Sequence, residues 1–165
     1  MRKSWLAALA VAGLNSPALA AEPTGDWLVA DKVAAVRIAP CGPAFCGHIA
    51  WTKGPPRNDK NNPDPAKRSR SVIGMETLLN MKPAGSNRWE GEIYNAEDGK
   101  IYAGSISLVS DNVLRIEGCV WVFCGGQNWT RAQCEEAPAA RPGGRGPTPP
   151  QPQPVPLASC REAVP

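Results

Sequence analysis

Residues with chemical potential fall into two sets in this chain: a polar run of Asp59, Asn62, Asp64, Arg68 and Arg70, and six cysteines, Cys41, Cys46, Cys119, Cys124, Cys134 and Cys160. The carboxylate and amide oxygens of the polar run are of the type that ligates a hard cation such as calcium. Asp59 and Asp64 are also a carboxylate pair of the kind that works on glycans as acid and base. The competing reading is architectural. Asn62-Pro63-Asp64 builds a turn whose side chains bond nearby backbone amides, and Arg68 or Arg70 pairs with Asp64 to pin the loop. The run lacks the regular spacing and glycine of a helix–loop–helix calcium site, so no metal or cofactor is expected. His48 is the sole histidine. No nucleophile is tied to it by spacing, and no catalytic residue is assigned.

An even number of cysteines behind an export signal points to disulfides in an oxidising compartment. Neither close pair has the two-residue spacing typical of zinc ligands. Cys41 and Cys46 flank Gly42-Pro43, a turn signal, so a bridge across a tight bend is expected. Cys119 and Cys124 lie in an apolar run and would stand far apart on one straight strand. Local pairing there requires a turn within residues 120–123; cross-pairing with Cys41 or Cys46 is the alternative. Cys134 and Cys160 either bridge, or Cys160 stays free or pairs between chains.

The elements that position these groups read mainly as strands. Residues 89–108 form a hairpin. Trp89, Gly91 and Ile93 alternate with Glu90 and Glu92, Asp98-Gly99 supplies the turn, and Tyr102, Ile106 and Leu108 share a face. Further strands follow from Gly25, Val33, Gly47, Val113 and Gln127. Residues 53–71 form a long polar loop that includes Lys53, Arg57 and Lys60, a length often associated with function. Met75, Leu78 and Leu79, at i, i+3 and i+4, predict a short helix over residues 71–81. The fold class expected is mainly β: a small antiparallel barrel of seven or eight strands with one short helix. Most aromatic residues should be core, while Trp51, Trp89, Tyr94 and Tyr102 are candidates to stack on a ligand at a barrel mouth.

Both ends read as lying outside this domain. Residues 1–20 have the form of a signal peptide: Arg2 and Lys3, an apolar run, and Ala18-Leu19-Ala20 before the expected cut. The apolar run is shorter than the ~20 residues of a membrane span. The domain is expected over 21–137. Residues 138–165, rich in proline, are expected as a disordered, polyproline-like tail. The net charge of +3 falls to +1 once Arg2 and Lys3 are removed, which is no footprint for nucleic acid.

The chain resembles the small exported bacterial proteins of domain of unknown function 2147. The matching pieces run in order from Cys41 and Cys46-Gly47, through Asp59, Asn62-Pro63-Asp64, Arg68, Arg70 and Ile73-Gly74-Met75. They continue with Trp89-Glu90-Gly91-Glu92-Ile93-Tyr94, Gly99-Lys100-Ile101-Tyr102, Leu114 to Cys119, and Trp129-Thr130-Arg131. Gly25-x-Trp27 with Arg131 is also similar to the pattern of calycins, the lipocalin-like barrels. That resemblance implies an arginine packed over a tryptophan where the barrel closes, with Gly25, Trp27, Trp129 and Arg131 as structural residues.

The expected role is that of a periplasmic or secreted, envelope-associated binding module for a small or glycan-like ligand. A monomer without nucleic-acid partner or membrane span is expected. The ligand-binding candidates are Asp59, Asn62, Asp64, Arg68, Arg70, Trp51, Trp89, Tyr94 and Tyr102. The alternatives are a cell-wall or carbohydrate hydrolase using Asp59 and Asp64, and a structural partner protein without chemistry.

Overall fold

Strand alternation around residues 89–108 produces a regular hairpin. β5 (Arg88–Asn95) pairs with β6 (Lys100–Ser110) in unbroken antiparallel register from Arg88↔Ser107 to Asn95↔Lys100. Gly99 sits at φ +69 in the turn, where the left-handed conformation costs glycine little. The structure, a computed structural model, describes residues 22–120, 123–136 and 157–163. The signal-like segment 1–20 and residues 138–156 of the proline-rich tail lie outside the described residues.

The other strands add to this hairpin in chain order. They are β1 (Gly25–Leu28), β2 (Ala34–Cys41), β3 (Ala44–Thr52), β4 (Glu76–Gly85), β7 (Val113–Val120) and β8 (Phe123–Glu136). Each pairs antiparallel with its sequence neighbour, and β1 pairs with β8 through Trp27↔Arg131 and Leu28↔Thr130. The result is a closed eight-stranded up-and-down barrel. In such a barrel alternate connections share an end. The β1–β2, β3–β4, β5–β6 and β7–β8 connections therefore form one end, and the β2–β3, β4–β5 and β6–β7 turns form the other.

No helix forms over 71–81: residues 71–75 end the connection from β3, and residues 76–81 belong to β4, which carries a bulge. Between Leu79↔Glu92 and Lys82↔Glu90, β4 spends three steps where β5 spends two. Asn80 takes up the extra residue at φ 51. A bulge resets the alternation of a strand, so Leu78 and Met81, three apart, both point inward and are fully buried. The residues that suggested a helix divide between two cores: Leu78 belongs to the main cluster, whereas Met75 and Leu79 pack with Val72 and Tyr94. Gly91 faces the bulge, and a Cβ there would lie 2.5 Å from the Leu79 carbonyl oxygen.

Inward-facing residues of the strands meet inside the barrel. Trp27, Ile38, Leu78, Met81, Trp89, Ile106 and Leu114 belong to one buried cluster, with Phe45 edge-on to Trp89 at 5.8 Å. At the seam the Arg131 guanidinium lies 4.2 Å over the Trp27 ring and donates to the Thr24 carbonyl at 2.9 Å. The Trp27 indole N–H donates to the Pro23 carbonyl at 2.9 Å. Gly25, at φ +117, leaves room for this arrangement, since a Cβ would meet Arg131 Nη1 at 2.8 Å.

All six cysteines are paired: Cys41 with Cys46, Cys119 with Cys124, and Cys134 with Cys160. Cys119–Cys124 is local because β7 ends at Val120 and β8 starts at Phe123. The two cysteines are direct cross-strand partners there, not distant points on one strand. The third bridge belongs to an element that composition concealed. Leu157–Glu162 forms β9 and pairs antiparallel with the end of β8. This stretch is free of proline, so its amides can enter a ladder, and its Leu157 is buried. Among the described residues no helix is long and apolar enough to cross a membrane; the one helical turn is a 3-10 segment, Pro65–Lys67.

Candidate functional site

The long connection between β3 and β4, residues 53–75, folds back on itself across one barrel end. Asn58 bridges to Ser71, Asp59 N–H donates to Arg70 O at 3.0 Å, and Val72 N–H donates to Arg57 O at 2.9 Å. Its final residues dock on β3 through Ile49 N–H to Met75 O at 2.9 Å and Gly74 N–H to Ile49 O at 2.7 Å. Val72 and Met75 pack with Tyr94 in a small second core. This strap also rests on the β5–β6 turn. Asn61 Nδ2 donates to the Glu97 carbonyl at 2.7 Å, and Arg57 pairs with Glu97 at 3.0 Å.

The polar run singled out in the sequence is the anchor of the strap. Asp59 is fully buried. Its Oδ1 accepts from the Tyr94 hydroxyl at 2.7 Å. Its Oδ2 accepts from Asn62 Nδ2 at 2.8 Å and from Arg70 Nε and Nη2 at 3.0 and 2.8 Å. Burial pushes the Asp59 carboxyl upward, but the donors from Tyr94, Asn62 and Arg70 outweigh it and hold the group below its usual range. Burial, then the adjoining Asp59 carboxylate, pushes the Tyr94 hydroxyl up. Arg68 Nε donates to the Asn62 carbonyl at 2.8 Å. Asp64 caps the 3-10 turn by accepting from Ala66 N–H at 3.0 Å and lies 3.7 Å from Lys67. Asp59 and Asp64 thus do not face one cleft, as a glycan acid–base pair must. Among the described residues no three His, Cys, Asp or Glu side chains are grouped to hold a metal.

Beneath the strap is a cavity of about 1570 Å³, larger than the ~300–1,000 Å³ usual for drug-sized ligands. Its wall includes Val29, Val36, Ile49, Ile93, Ile116 and Trp129. At Gly118 and Gly125 this wall carries no side chain. Gly91↔Gly104, Gly104↔Gly118 and Gly118↔Gly125 are direct partners across β5 to β8. The space at Gly104 is taken by Ile93, whose Cδ1 would lie 2.4 Å from a Cβ there. Gly118 would meet only the Tyr102 Cβ, at 3.9 Å, and Gly125 meets nothing within 4 Å. Both line the cavity. Two buried polar atoms without a protein partner, Thr52 Oγ1 and Trp129 Nε1, belong to cavity-lining residues.

The sequence candidates divide accordingly. Tyr94 and Tyr102 line the cavity. Tyr94 spends its hydroxyl on Asp59 and Tyr102 donates to Asp98. Trp89 is core beside Phe45. Trp51 is partnered with Ala35, and a bulge at Ala50 separates it from the cavity-lining Ile49. Asp59, Asn62, Asp64, Arg68 and Arg70 build the strap and are not part of the cavity wall. Sequence reasoning missed Gly118, Gly125 and Gln127 on the wall, and Trp129 has a second role there. Lys53, Arg57 and Lys60 stand on the rim. Inward-phase glycines on consecutive strands were the available signal for the first group.

Comparison with known proteins agrees with this architecture. A structure described as "Protein HP1028 from the human pathogen Helicobacter pylori belongs to the lipocalin family" is similar at a TM-score of 0.62 and 22% identity, covering 67% of this chain and 82% of that one. At that identity the likeness concerns the fold. No curated protein matches the chain. The family model described as an uncharacterized protein conserved in bacteria (DUF2147) matches residues 25–131, from the glycine beside Trp27 to the arginine stacked on it, and the chain belongs to that family.

Proposed function

We propose that the protein is an exported, monomeric binding module that holds a small, largely apolar molecule in its barrel. The observation that carries this reading is the cavity: a space under the strap, open at the rim, whose deeper wall includes Val36, Ile49, Ile93, Ile116 and Trp129 and adjoins the buried core cluster. A barrel evolved only as a scaffold would gain stability by filling that space, since each unfilled methylene-sized gap costs about 1 kcal/mol. Of the aromatic candidates Tyr94 and Tyr102 line the space, beside Trp129 and the aliphatic Val29, Val36, Ile49, Ile93 and Ile116, and this aliphatic share of the wall favours a largely apolar guest. Export is supported by the signal-like residues 1–20 and by three disulfides, which persist in oxidising compartments such as the periplasm.

The test is native mass spectrometry of the mature protein purified gently from a bacterial periplasm. The expected result is a reproducible added mass that disappears on denaturation. A bare protein mass that also takes up no apolar probe would refute the reading.

A further inference from the structure

Every charged side chain on the cavity wall sits on a connection between strands. Asp31 lies between β1 and β2, Lys53, Arg57 and Lys60 on the strap, and Glu97 between β5 and β6. The strands themselves contribute apolar and uncharged polar groups. Charge is therefore confined to the rim, and it is unbalanced there. Arg57 is matched by Glu97 at 3.0 Å. Among the described residues Lys53 and Lys60 enter no ion pair, and Asp31 is the one remaining rim carboxylate.

A guest with a charged group must satisfy that group at the rim, because burying an unpaired charge among Val36, Ile49, Ile93 and Ile116 is costly. We propose that the cavity takes an acidic amphiphile, its apolar chain lodged in the barrel and its anionic head held by Lys53 and Lys60. This rests on the cavity reading and adds the chemical class of the guest. Lysine suits a head that is hydrated and reaches water, since it acts as a mobile point charge and not a fixed fork.

The test uses the mature protein and three twelve-carbon probes: dodecanoate, dodecanol and dodecyltrimethylammonium. Each competes with the fluorescent, uncharged N-phenyl-1-naphthylamine at neutral pH. Dodecanoate should bind roughly three- to tenfold more tightly than dodecanol, the scale of one or two solvent-exposed ion pairs. High salt should shrink the difference. The Lys53→Gln, Lys60→Gln double variant should abolish it while leaving dodecanol unchanged, and Lys53→Glu, Lys60→Glu should shift preference to the cationic probe. Equal binding of all three probes would overturn the acidic-head assignment and leave the cavity reading standing. A dodecanoate preference indifferent to both double variants would overturn the role of these lysines. Failure of every probe, the naphthylamine included, would remove both readings together.

Discussion

Replacing Tyr94 with phenylalanine deletes one oxygen from the anchor of the strap and little else. That hydroxyl donates to Asp59 Oδ1 at 2.7 Å and accepts from Asn62 Nδ2 at 3.0 Å. The ring stays in its small core with Val72 and Met75. A hydrogen bond to a charged group contributes about 1.5–3 kcal/mol. Asn62 keeps its bond to Asp59 Oδ2 at 2.8 Å, so little is added by its loss. Tyr94→Phe should therefore destabilise the domain by about 2 kcal/mol, or roughly 8 °C in Tm at this size. Urea unfolding followed by tryptophan fluorescence measures the first quantity. Limited trypsin digestion locates the effect, because the strap carries Arg57, Lys60, Lys67 and Arg68 and should be cut sooner than the strands. A variant within about 0.5 kcal/mol of the parent, with unchanged digestion, would refute the claim that this oxygen anchors the strap.

The same anchor predicts a pH window. Asp59 is held below its usual range, so its contribution is complete above the unfolded-state value near ~4 and is lost as pH falls through the lower folded-state value. Tyr94 is raised, so its contribution is complete below ~10 and is lost as pH climbs through the higher folded-state value. Asp59→Asn should flatten the acid limb of stability against pH by up to about 1.4 kcal/mol per pH unit, read from urea midpoints. Gly25→Ala should cost roughly 1–3 kcal/mol, since φ +117 is strained for alanine and the new carbon displaces Arg131; thermal unfolding checks this. Gly99→Ala places a carbon 1.8 Å from the Asn61 carbonyl oxygen. It should lift the strap, raising trypsin sensitivity there while the far-ultraviolet circular dichroism of the barrel persists.

Much of this architecture was legible from local pattern. The 89–108 hairpin followed from alternation and Asp98-Gly99, and the closure followed from the resemblance carried by Gly25, Trp27 and Arg131. The failures were of two kinds. Around the start of β4, Met75 and Leu79 serve the small core under the strap and Leu78 the barrel core, and apolar residues shared between two cores at i, i+3 and i+4 read as one helix face. In β9 a six-residue strand followed a run rich in proline, and the tail's composition masked it. The sequence grouped Asp59, Asn62 and Asp64 and paired Arg68 or Arg70 with Asp64, whereas Arg70 pairs with Asp59 and Asp64 lies by Lys67. Whether buried oxygens point at a ligand or at Tyr94 is a matter of tertiary placement, and the tyrosine comes from another strand. The glycine pair was hidden for a related reason. Gly118 and Gly125 are ordinary singly and become a gap in the wall only once register pairs them.

The most direct test of the central claim is to fill that gap. Gly118 has extended backbone and an open approach into the cavity, so Gly118→Leu inserts a side chain without forcing the strands apart. N-phenyl-1-naphthylamine is titrated into parent and variant, with urea stability measured on both. Uptake by the parent, weaker affinity in the variant, and stability equal to or above the parent's are expected. Undiminished uptake by a stably folded Gly118→Leu protein would contradict the account, because the guest would then be held somewhere other than the barrel.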